Sequence, residues 1–213
     1  PLMLDSTDPI VLREALKRTP GKSIINSINL EDGEERLRII VPLIKEFGAA
    51  VVVGCIDDNR TQGQAITKER KLSIAKRAFN LLTEKYDILP YDIIFDPLVF
   101  PIGTGDSNYV GSGIETIEGV SMIKKAFPEA KTILGISNVS FGLPTAGREV
   151  LNSVFFYHCV MAGLDMAIVN SQQLRRYASI SQDEKKLAED LIWSRGENPI
   201  AAFADHFRDI RPT

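Results

Sequence analysis

Short runs of apolar, largely β-branched residues alternate along the chain with longer segments in which apolar positions recur at helical spacing. That alternation marks successive βαβ units on a parallel sheet. Strands are predicted near Leu2–Leu4, Ser23–Ile25, Ala49–Val53, Asp92–Phe95, Thr132–Ile136 and Asp165–Val169, each apolar on both faces and therefore expected to lie centrally in the sheet. Helices are predicted over Pro9–Arg18, Glu34–Phe47, Lys68–Lys85, Ile114–Phe127 and Arg148–Ala162, with Asp8 and Thr67 as caps. Pro42 falls inside the second helix and is expected to kink or shorten it, because proline lacks the backbone donor and crowds the preceding turn. Gly48-Ala49-Ala50, Pro128-Glu129-Ala130 and Gly163-Leu164-Asp165 read as tight helix-to-strand turns.

No proline-rich or Ser/Gly-rich linker divides the 213 residues, and 44% hydrophobic content is enough to bury a substantial core, so one domain is expected. Its strands and helices occupy about residues 1–171. A polar helical extension follows over about 172–213, with amphipathic pieces at Ala188–Trp193 and Pro199–Phe207. The chain opens on Pro1-Leu2-Met3, already inside an apolar strand, and is expected to be a fragment.

The formal charge of −3 contains no concentrated basic tract, so nucleic acid is not an expected partner. The sequence has no apolar run long enough to span a bilayer and no leader pattern, and its two cysteines, Cys55 and Cys159, lie far apart in apolar surroundings. A soluble cytoplasmic protein with reduced thiols and no membrane partner is expected.

In a β/α barrel the functional groups gather at the C-terminal ends of the strands. Those ends read Asp5-Ser6-Thr7, Asn26-Ser27, Gly54-Cys55, Asp96-Pro97, Ser137-Asn138 and Asn170-Ser171. Any one of them is equally an ordinary turn or cap; Asn26, Asp96 and Asn138, taken jointly on one mouth, favour a site. The set is made of carboxylates and amides. It contains no Ser-His-Asp arrangement, no metal-ligand spacing and no phosphate-binding glycine loop, and Gly103-Thr104-Gly105 does not follow its strand as a dinucleotide motif does. His158 and His206 sit in helical segments and read as structural imidazoles; Cys55 reads as a small buried apolar residue. Amide and carboxylate pairs suit a flat neutral heterocycle bearing ring N–H and amino groups, of which a pterin is one.

Beyond these residues the chain resembles a known family. LDST at Leu4–Thr7, INSINLEDGEE at Ile25–Glu35, FGAAVVV at Phe47–Val53, DIIFDP at Asp92–Pro97, SNVSFGLP at Ser137–Pro144, REVLNSVFFYH at Arg148–His158 and GLDMAIVN at Gly163–Asn170 are similar to the pterin-binding domains of cobalamin-dependent methionine synthases and related methyltetrahydrofolate:corrinoid methyltransferases. The resemblance implies an α/β fold of the (β/α)8 TIM-barrel type, incomplete here, with strands three to eight present. Asp5, Asn26 and Asp96 would hold the pterin ring, and Asn138 would be nearest N5, where the methyl leaves. Ser6, Ser27, Ser137 and Phe141 would complete the pocket, Arg148 would lie near its mouth, and Asn170 would stand at the last strand tip.

The implied reaction is transfer of the N5 methyl of 5-methyltetrahydrofolate to cob(I)alamin borne by a partner domain or corrinoid protein. Asn138 and Asp96 would be the catalytic pair, and this chain would bind no metal. A nitrogen leaving group needs a proton, and a network of Asn138, Asp96 and water would stabilise the protonated form. The final methyl acceptor, homocysteine or an acetyl-CoA-pathway corrinoid protein, is not encoded here. Lacking two strands, the barrel would expose sheet edges that invite pairing between copies. Two alternatives are a dihydropteroate synthase-like enzyme, whose pattern is matched less well by PLVFPIGTG after Asp96, and a folate-binding fragment without turnover.

Overall fold

Asp8 stops the chain between an apolar run and an amphipathic one by accepting hydrogen bonds from the Ile10 and Val11 amides, at 2.7 and 3.3 Å, and so starts the first helix. Such a cap satisfies amides that have no intrahelical partner. The computed structural model describes residues 1–210. In chain order it holds β1 (Met3–Asp5), α1 (Pro9–Arg18), β2 (Ile24–Leu30), α2 (Glu35–Phe47), β3 (Ala50–Asp57), α3 (Lys68–Asn80), β4 (Ile93–Asp96), α4 (Ser112–Ala126), β5 (Lys131–Gly135), α5 (Thr145–Met161), β6 (Met166–Ile168), α6 (Gln182–Ile192) and α7 (Pro199–Phe207). The sheet order follows the chain, β1-β2-β3-β4-β5-β6, and β1 to β5 pair in parallel. This strand–helix alternation is that of a TIM-barrel-type α/β fold, as expected.

Several expectations are corrected. β1 and β6 stand at the two ends of the sheet order and their residues are half-buried or exposed, so they are not central strands. Their apolar composition does not distinguish a strand with two neighbours from a strand with one. α2 runs through Pro42 to Phe47 without being shortened. β2 and β3 run three or more residues past the predicted ends, to Leu30 and Asp57, which puts Asn26 and Gly54 within strands rather than at their tips. The last turn of the third predicted helix, Leu81–Lys85, is π-helical. α5 starts at Thr145, three residues early, and Gly147 in its first turn lies against α7, where a Cβ would come within 2.7 Å of Phe203. Of the polar extension expected through Thr213, residues 211–213 lie outside the described residues.

The described chain forms two compact units, one of Pro1–Leu98 with Met122–Ile133 and the other of Val99–Ser121 with Leu134 onward. In the first, Ile25, Val51, Val53, Ile93 and Phe95 pack under helix residues such as Leu37, Ile40, Ile44, Ile74 and Ala78, and Phe95 meets Phe127 with ring centroids 5.7 Å apart. In the second, Val150, Leu151, Val154 and Phe155 of α5 pack with Ala188, Leu191 and Ile192 of α6 and Phe203 and Phe207 of α7. Burial of this kind contributes about 1.5–3 kcal/mol for each large apolar side chain.

Candidate functional site

The first unit carries a polar patch that follows from strand register. Successive strand residues face opposite ways, and residues paired across a parallel ladder face the same way. Ile25 pairs with Val51, Val51 with Ile93, and Val53 with Phe95; these pack against the helices. Val52 and Ile94 are equally buried but belong to the other face. Asn26 follows Ile25 and pairs with Asp5, while Asp96 follows Phe95 and pairs with Gly54. Asp5, Asn26 and Asp96 therefore occupy the helix-free face, at or toward the C-terminal ends of β1, β2 and β4. Between them, Gly54 contributes no side chain.

β2 departs from regular geometry at this place. Ile25 pairs with Val51 and Ile28 with Val53, so Asn26 and Ser27 together stand opposite the single Val52. An extra residue of this kind bends a strand and re-aims its side chains, and such bulges concentrate beside functional sites. The Asn26–Ser27 peptide is cis. Neighbouring Ser6 accepts the Asp8 amide at 3.1 Å, and Arg36 donates to the carbonyls of Thr7, at 2.6 Å, and Ser6, at 3.4 Å, tying down the loop after β1.

Asp96 is the group most altered by its surroundings. Burial raises its carboxyl to about 6, against the opposing pull of a hydrogen bond from the Leu98 amide, at 2.9 Å, and of the Lys71 ammonium. A carboxyl poised there can accept from ring N–H groups above pH 6 and carry a proton below it. Leu98 takes the left-handed backbone region, φ 69°, which costs a branched residue about 1–2 kcal/mol. Lys71, fully buried in α3, donates to the carbonyls of Pro97 at 2.6 Å, Leu98 at 3.3 Å and Ala65 at 2.8 Å. Sequence reading missed Lys71, for a lysine in a helical segment reads as solvated; its burial is visible only once α3 lies beside the end of β4.

The second unit places its candidates on turns. Asn138 and Ser137 are exposed on the 3-10 turn Ile136–Ser140 that follows β5, and Phe141 next to them is 64% exposed. Arg148, in α5, donates through Nε to Ser140 Oγ at 3.2 Å, and that hydroxyl donates to the Ser137 carbonyl at 3.1 Å. Arg148 is thus a brace of the turn bearing Asn138. Asn170 accepts the Gln172 amide at 3.2 Å and caps a short 3-10 turn.

Of the residues set aside earlier, His158 and Cys55 hold structural positions and His206 does not. His158 Nε2 lies 3.0 Å from Glu189 Oε1, which also accepts from the Tyr177 hydroxyl at 2.7 Å. His206 is exposed. Cys55 is buried, and burial pushes its thiol up to about 12, which makes it inert as a nucleophile. Among the described residues no cluster of three His, Cys, Asp or Glu side chains could hold a metal ion, and no helix is long and apolar enough to cross a membrane.

A family model described as pterin binding enzyme matches residues 1–170. The chain belongs to the pterin binding enzyme family. Every candidate residue lies inside the matched span, while α6 and α7 lie beyond it. Among curated relatives, methionine synthase of Mycobacterium tuberculosis (strain ATCC 25618 / H37Rv) is 42% identical over 198 residues, covering 92% of this chain and 16% of that protein. Methionine synthase of Mycobacterium leprae (strain TN) is 42% identical over 216 residues, covering 99% of this chain and 18% of that protein. The chain thus spans about a sixth of the length of these relatives.

Proposed function

We propose that this pterin binding enzyme holds 5-methyltetrahydrofolate and gives up its N5 methyl group to cob(I)alamin on a partner domain or protein, in the manner of methionine synthesis. The observation that carries the reading is the polar face of the first unit, where Asp5, Asn26 and Asp96 stand on strands beside apolar Val52 and Ile94 of the same face. A carboxylate there accepts two parallel hydrogen bonds from the amino group and adjacent ring N–H of a pterin, and the Asn26 amide both donates and accepts. The 42% identity to two methionine synthases favours a methylated folate over other pterins.

Asp5, Asn26 and Asp96 hold the ring, with Ser6 and Ser27 beside them. Asn138 hydrogen-bonds at N5 and, with Asp96, stabilises the proton that makes the ring nitrogen a leaving group. Asn138 stabilises that charge more in the transition state than before it, so it acts on rate rather than on affinity. Ser137 and Phe141 line the exposed turn, Arg148 fixes it, and Asn170 closes the set. The cob(I)alamin of the partner supplies the nucleophile for the methyl group. The protein works in the cytoplasm.

Calorimetric titration of this chain with 5-methyltetrahydrofolate, followed by a methyl-transfer assay with added cob(I)alamin, tests the reading. Saturable binding and methyl loss are expected. Binding without transfer would mark the chain as a folate-binding segment, and pteroate formation from a pterin diphosphate in its place would assign it to dihydropteroate synthesis.

A further inference from the structure

We propose that Lys71 is a positioning residue for Asp96: its buried ammonium holds the Pro97 and Leu98 carbonyls, so that the Leu98 amide is aimed at the carboxylate. The inference rests on the folate reading only for its consequence in binding. The geometry stands by itself.

Lys71 is fully buried, yet its Nζ reaches three main-chain carbonyls, two of them in the segment just after Asp96. A buried ammonium is retained only where hydrogen bonds and opposite charge offset its lost hydration. Here the acceptors fix a backbone shape that leucine does not adopt readily, φ 69° at Leu98. The same residue donates its amide to Asp96 Oδ1 at 2.9 Å. Through Leu98, then, the lysine orients the carboxylate, and by its charge it opposes the burial that would neutralise it. The third carbonyl, of Ala65, ties this arrangement to the loop between β3 and α3.

The titratable group acting on Asp96 is the Lys71 ammonium from α3; the Cys55 thiol of β3, itself pushed up by burial and by the Asp96 charge, stays neutral at physiological pH. Lys71 is therefore the charge that favours the ionised carboxylate, alongside the Leu98 amide and against the burial that raises it. Its removal leaves burial opposed only by the Leu98 amide, and the carboxyl titrates at higher pH.

The test compares Lys71→Gln, which keeps a donor and loses the charge, with Lys71→Arg, which keeps the charge. Asp96 is followed by carbon-13 NMR of its carboxyl, and 5-methyltetrahydrofolate affinity is measured against pH. In Lys71→Gln the Asp96 midpoint is expected to rise by about one unit, and affinity at pH 7 to fall by about twofold or more and recover in alkali. Lys71→Arg is expected to keep the midpoint near that of the unaltered chain. An unchanged midpoint in folded Lys71→Gln overturns the proposal. Should that variant fail to fold, the unaltered chain decides: the Lys71 Nζ resonance must shift with the midpoint of the Asp96 carboxyl, and an Nζ signal indifferent to it overturns the proposal. If the unaltered chain binds no methyltetrahydrofolate at any pH, the folate reading falls while the carboxyl titration still settles the role of Lys71.

Discussion

The two units hold their polar groups in different ways. In the first, Asp5, Asn26 and Asp96 sit on strands whose alternate residues are locked into a core of Ile, Val and Phe under helices. In the second, Asn138 sits on an exposed 3-10 turn, held by a chain of hydrogen bonds from Arg148 through Ser140 to the Ser137 carbonyl. A strand fixes direction by packing that extends over many residues; a turn depends on a few polar contacts that water can replace. Under the proposed function, the strand-borne groups grip the flat ring and the turn-borne amide meets a changing charge.

The comparison breaks most readily at the cores. Phe95→Ala in the first unit and Phe203→Ala in the second, both fully buried, are each expected to cost about 3–5 kcal/mol in urea unfolding. Costs near 1 kcal/mol would show that these rings do not organise their units. Next in size is the division between grip and rate. Asn138→Ala should slow methyl transfer on the order of 100-fold with folate affinity nearly unchanged. Asp96→Ala should weaken affinity by about 1.5–3 kcal/mol, since it removes hydrogen bonds to a charged group. Equal losses of rate and affinity in both variants would erase the distinction between the units.

A subtler effect concerns Asp96 alone. Its folded carboxyl titrates at about 6 against an ordinary value of 3.8, so the folded state holds the proton more tightly than the unfolded one. The stability this gives is complete below pH 4 and lost as pH rises through 6, the reverse of an ion-paired carboxylate. Folate affinity should run the other way, falling as pH drops through 6. Asp96→Asn is then expected to stabilise the fold by about 1–2 kcal/mol at pH 7 while it weakens binding. Thermal unfolding at pH 4 and pH 7 checks this; a variant less stable than its parent at pH 7 would mean the carboxylate is well compensated. Smallest of all, Arg148→Met should cost about 1 kcal/mol, read as faster amide exchange over Ser137–Phe141.

Much of the first unit was legible in the sequence. Asp8 and Pro9 announced α1, Gly48 announced the end of α2 by its need for a positive φ, and the apolar runs announced β3 and β4. The position of Asp96 at the end of β4 was legible as well, from the apolar run that precedes it. Less could be read where a residue's meaning depends on what stands beside it. The length of β2 past Asn26 was hidden, for polar Asn26-Ser27-Ile28-Asn29 looks like a turn until β3 is there to pair with it. The contact of Arg148 with Ser140 was hidden as well, since it forms only when α5 folds back on the turn before it.

By itself the sequence determined the order and kind of the elements and the acid-and-amide character of the residues that end or interrupt the strands, because periodicity and capping are local and each residue type carries its own donors and acceptors. Only the tertiary structure decided that β1 and β6 end the sheet order, that Asp5, Asn26 and Asp96 share a face, and that Lys71 is buried behind the last of them. Register, burial and the shift of a titrating group arise between segments distant in the chain, and no single segment contains them.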